Sequence, residues 1–127
     1  MTASVPFQYL VLRCVPRVDR EEFVNVGVVL YAQALNYLQC AGQLDGARLL
    51  ALAPDLDLAA VQSALDAVAA ICRGEQAMGA AATASLGQRF GWLAAPKSTV
   101  LQPGPIHGGL TRDPDIELAH LVEKLVR

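Results

Sequence analysis

An arginine fork grips phosphate or carboxylate with two parallel hydrogen bonds. Three arginines, Arg13, Arg17 and Arg20, gather at the end of the first apolar stretch of this 127-residue chain. Together they are the right residue types for an anion site. Arg17 and Arg20, however, stand among Asp19, Glu21 and Glu22, which predicts mutual pairing in a solvated connector. Arg13 is different. It falls between Val11 and Val15, and a charge in such company must find a partner or reach solvent. Two readings stand for it: a cleft residue, or one that hydrogen-bonds Asn25. A second set lies near the end: Arg89, Trp92, Lys97, Ser98, Gln102 and His107. A basic, hydroxyl, amide and imidazole set beside an indole has the chemistry to cradle a nucleotide or a peptide. Against that, the plain reading puts Trp92 in the core, Lys97 in solvent and His107 against backbone. His107, between Pro105 and Gly108, lies in a breaker-rich segment of the kind that often carries function.

The elements that must position these groups follow from pattern. Phe7 to Val15 reads as a strand apolar on both faces, and Phe23 to Ala32 as a second, with Gly27 marking a bulge or a close backbone approach. Antiparallel pairing about Asp19 sets Arg13 opposite Asn25. The Asp19/Glu22 spacing suits one helical turn between the strands. Leu35 to Ala41 is expected as a third strand and Ser98 to Gln102 as a fourth. Ile106 to Thr111 is expected extended or looped, with a turn at Gly108-Gly109. Asp45 begins a short helix that Pro54 stops. Asp57 to Arg73 is the strongest helix, with Leu58, Val61, Leu65, Val68 and Cys72 on one stripe and Gly74 as its stop. Glu75 to Ala84 reads as a loop. Ser85 and Gln88 form a capping box for a helix through Ala94. Asp113 caps the last helix, with Pro114 at its first position. The expectation is a single α+β domain over 1–127, with a small, mainly antiparallel sheet of about four strands covered by helices on at least one face.

Composition narrows the function classes. The chain is 54% hydrophobic but only 17% charged, with net charge −2. So few charges on so apolar a chain favour a partner face or self-association, and they weigh against nucleic acid as the main ligand. No apolar run approaches membrane-spanning length, and the N-terminus lacks the basic and apolar regions of a secretory signal. Cys14, Cys40 and Cys72 are unpaired in spacing and read as buried free thiols of a reducing cytosol. No GxSxG, P-loop or HExxH pattern is present, so no catalytic residue, metal or cofactor is assigned. Asp55, Asp57, Asp113 and Asp115 read as helix-start residues, and His120 as a boundary position.

Three segments carry a resemblance: YLVLRCVPRVDREEFVNVGVVLY, LAPDLDLAAVQSAL and RFGWLAAPKSTVLQPGPIHGGLTRDP. Together they resemble the bacterial family DUF3037. The resemblance implies a small cytoplasmic protein without an assigned activity, whose gene neighbours those of HipA-like kinases, and hence a protein partner. The expected function is a non-catalytic binding protein that modulates such a kinase. The alternative is a small enzyme or nucleotide- or phosphate-binding domain that uses His107 with Arg13 or Lys97.

Overall fold

The computed structural model describes residues 3–75, 78, 79 and 83–127. A first strand, β1 (Val5–Cys14), passes through a 3-10 turn at Val18–Arg20 into β2 (Val24–Ala32). A second 3-10 turn at Gln33–Leu35 leads to β3 (Tyr37–Gly42). Helices α1 (Gly46–Leu52), α2 (Leu58–Arg73) and α3 (Leu86–Ala94) follow. Two short strands, β4 (Leu101–Pro103) and β5 (His107–Thr111), precede the C-terminal helix α4 (Pro114–Leu125). All pairings are antiparallel, in the order β3-β2-β1-β4, with β5 also on β1. The chain is thus an α+β domain with five strands among the described residues.

The hairpin register sets Arg13 against Asn25, with a shift between Leu12 and Arg13 that leaves Val26 as the extra residue of a bulge. Gly27 follows the bulge where space is tight: a Cβ there would stand 3.1 Å from Leu65 Cδ1 and 3.3 Å from Ala41 O. Helices cover both faces, which is why β1 and β2 are apolar on both. Leu10, Leu12, Val29 and Leu38 lie under α1, α2 and α3, packed with Leu49, Val61, Leu65, Phe90 and Leu93. Phe7, Val28, Leu30 and Ala32 meet Leu118 and Leu121 of α4. This last helix lies across β2 and β3. Tyr37 Oη donates to Asp115 at 2.8 Å and ties β3 to its first turn. On that second face Val11 and Arg13 remain only half-buried.

The helix ends match the sequence signals. Asp45, Asp57 and Asp113 each accept an amide at their N-caps, and the Ser85/Gln88 capping box is closed both ways. Gly74 ends α2 at φ 73°. Three segments differ from expectation. The third strand starts at Tyr37, not Leu35, because Gln33–Leu35 forms a turn closed by Asn36 in the left-handed region. The fourth begins at Leu101, not Ser98. Ile106 to Thr111 contains no turn: His107–Thr111 continues the edge of the sheet, against Val5–Tyr9. Gly109 serves packing instead, since a Cβ there would lie 2.8 Å from the Phe7 ring. Proline at 103 is tolerated because β4 is an edge strand, which has no ladder bond to lose on its outer side. The Glu75 to Ala84 loop reading lies in part outside the described residues.

Candidate functional site

Helix α3 turns Phe90 and Leu93 inward, and Phe90 stacks on Tyr31 with centroids 5.2 Å apart. Trp92, on the other flank, is 51% exposed, so it is not the core residue of the plain sequence reading. Its ring borders an apolar cleft of about 210 Å³ between α2, α3 and β4, walled by Ala64, Val68, Ile71, Leu101 and Pro103. Lys97 Nζ lies 4.8 Å over the indole. It also donates to the carbonyls of Trp92 at 2.7 Å and Ala95 at 3.0 Å, closing the end of α3. Desolvation holds the Lys97 pKa below its ordinary value. A cation on the last carbonyls of a helix is favourable, and here it also fixes the indole.

Arg89 does the same for α2. Its Nη1 donates to Ile71 O at 2.8 Å and Cys72 O at 3.1 Å. Arg89 and Trp92 are three residues apart, but the arginine is half-buried against the end of α2 while the indole faces out. Arg89 Nη1 and Lys97 Nζ, donors that could serve a ligand, are thus engaged by helix ends.

The second neighbourhood is a row across the other face: Asn25, Arg13 and Gln102 on β2, β1 and β4. Asn25 Nδ2 donates to Leu125 O at 3.1 Å, at the end of α4. Gln102 Nε2 donates to Thr99 O at 2.9 Å. Neither bonds Arg13, whose Cζ lies 4.2 Å over the Phe23 ring. Sequence reasoning missed Phe23, although its position two residues before Asn25 places it diagonal to Arg13 on the same face. It missed Tyr9 likewise. His107, on exposed β5, rests on Tyr9 with centroids 5.2 Å apart. Arg13 stands four residues beyond Tyr9 on β1, about 13 Å of backbone. His107 and Arg13 therefore do not converge on one phosphate. Ser98 is exposed beside β4.

A larger cleft, of about 460 Å³, lies between the first connector and the start of α2. Most of its charges are engaged locally: Arg17 pairs with Asp19, Arg20 with Glu22, and Asp57 accepts the Ala60 amide of α2. Among the described residues no three His, Cys, Asp or Glu side chains gather as a metal site, and no helix is long and apolar enough to cross a membrane. The two neighbourhoods are suited to binding: one apolar with an aromatic lip, the other cationic.

No curated protein and no solved structure matches the chain. The model of one family, described as "Protein of unknown function (DUF3037)", matches residues 9–126. That span takes in most of the first hairpin, the Trp92 flank and the Arg13 row, and the chain belongs to the DUF3037 family.

Proposed function

We propose that this chain is a non-catalytic binding protein that docks a protein partner on the Trp92 flank, and that the partner is a HipA-like kinase encoded nearby. The observation that carries the reading is the half-exposed indole at the lip of an apolar cleft, held in place by Lys97. Exposing so large an apolar surface is unfavourable for a free monomer. Aromatic side chains beside pockets supply much of the energy of protein interfaces once water is excluded. Because Lys97 fixes the ring, little side-chain entropy is lost on docking. The kinase as partner, and a cytoplasmic location with it, rest on the family resemblance alone. The competing reading, chemistry at His107 with Arg13 or Lys97, is supported less: Lys97 closes a helix, and His107 is remote from Arg13. The experiment is co-expression with the kinase encoded beside it, followed by co-purification with and without ATP. A stoichiometric complex supports the proposal; recovery of both proteins only as separate species overturns it.

A further inference from the structure

A charged side chain that leaves water is expected to be paired. The arginines of this chain follow the rule with few exceptions. Arg17, Arg20, Arg73 and Arg127 hold carboxylates. Arg48 and Arg89 hold carbonyls. Arg112 has no such partner among the described residues but is exposed. Arg13 is half-buried near the end of β1, between β2 and β4, and no hydrogen bond or ion pair among the described residues reaches it. Its Nε, like that of Arg89, is sealed from solvent without an acceptor. Arg89 Nη1, however, holds two carbonyls, whereas no nitrogen of the Arg13 fork meets an acceptor among the described residues. Buried donors left unmade are rare enough that each calls for an explanation.

The surroundings supply one. The guanidinium rests on the Phe23 ring, 4.2 Å from its centroid. The backbone of Gly104 passes so close that a Cβ there would meet Cζ and Nε at 3.2 Å. Gly104 is itself fixed, its amide donating to Val11 O at 2.8 Å. These contacts orient the fork and close its Nε side, while its Nη ends have no acceptor. The flanking amides of Asn25 and Gln102 are turned to Leu125 O and Thr99 O. Helix α4 packs chiefly on β2 and β3, and Val11 and Arg13 of β1 stay half-buried. Beside the fork, Val11 and Tyr9 form a half-buried apolar strip, and Phe23 is 45% exposed.

We propose that Arg13 anchors an oxyanion-binding site on this half-buried part of the sheet, taking end-on the carboxylate or phosphate of a ligand whose apolar body lies over Phe23 and Val11. The two Nη groups supply the paired donors that such oxygens accept. The aromatic contact disperses the charge while the site is empty. The site is separate from the Trp92 flank and stands whether or not a protein docks there.

The test uses the full chain with arginine side chains labelled with ¹⁵N, and follows the Arg13 Nε–Hε resonance, assigned by its loss in Arg13→Lys. Inorganic phosphate and acetate are titrated separately against chloride at constant ionic strength, and melting temperature is measured in parallel. The expected result is a saturating shift and a rise in melting temperature with at least one oxyanion. Arg13→Lys, which lacks the fork, should bind roughly tenfold more weakly, and Arg13→Gln should show no rise. A response to phosphate alone identifies a phosphoryl ligand, one to acetate alone a carboxylate, and one to both a general oxyanion site. If neither anion exceeds chloride, or if Arg13→Gln is stabilised as much as the wild type, the proposal is overturned. Should Arg13→Gln not fold, the resonance titration on the wild-type chain decides alone.

Discussion

Replacing Arg89 by Met keeps the aliphatic packing of the side chain and removes its fork. Two charge-assisted bonds are lost, to Ile71 O and Cys72 O. At roughly 1.5 kcal/mol each these contribute about 3 kcal/mol. Ile71 O keeps a second donor, the Gly74 amide at 3.0 Å. The substitution also removes the Nε of Arg89, which is buried without an acceptor, and that relief offsets about 1 kcal/mol. The net expectation is a loss of about 2 kcal/mol, or roughly 8 °C in melting temperature for a domain of this size. Thermal unfolding followed by circular dichroism, with a urea titration to convert the shift to free energy, measures it. An Arg89→Met protein that melts with the wild type would show that the arginine does not hold the end of α2, and would return it to the pool of candidate ligand-binding residues.

Gly109→Ala drives a methyl to within 2.9 Å of the buried Phe7 ring and should cost about 1–3 kcal/mol in a urea titration. Gly108→Ala, whose Cβ meets only Phe7 O at 3.5 Å, should unfold with the wild type or slightly later, and equal effects at the two positions would contradict the strand assignment. Burial pushes Cys40 and Cys72 up to about 12 from an ordinary 9.0. Between those values the unfolded chain sheds thiol protons that the folded chain keeps, so stability falls as pH rises through that window. The fall should lessen in a Cys40→Ala/Cys72→Ala variant, and an unchanged slope in the urea midpoint from about pH 9 upward would refute the assignment.

The parts of the fold that could be read in advance are those specified by short-range chemistry. Asp57 with Gly74 framed α2, Ser85 with Gln88 started α3, and Asp113-Pro114 started α4, because a cap is a contact between residues a few positions apart. The Arg13–Asn25 pairing was legible because the connector between the strands is short. The edge of the sheet was not. Pro103, Gly104, Pro105 and Gly108-Gly109 carry the composition of turns, and only the distant Phe7 ring explains why Gly109 lies in β5. The candidate site was half legible. Arg13 was conspicuous as a charge among branched residues, but its lack of a partner depends on where Asn25, Gln102 and α4 settle. Arg89 and Lys97 carry donors fit for a ligand, yet both close helix ends: Lys97 that of the helix just before it, and Arg89 that of α2, which only the tertiary fold brings to it.

The central claim is that the Trp92 flank docks a protein partner. Titration calorimetry of the purified chain against the HipA-like kinase proposed as its partner tests it most directly, with Trp92→Ala compared to Ile116→Ala, an apolar but remote change at a side chain 68% exposed on α4. Because the indole is half-exposed, both variants should keep the wild-type melting curve. The account predicts that Ile116→Ala binds as the wild type does, while Trp92→Ala loses about 2 kcal/mol, roughly a thirtyfold weaker dissociation constant. A folded Trp92→Ala that binds the kinase with wild-type affinity would contradict it.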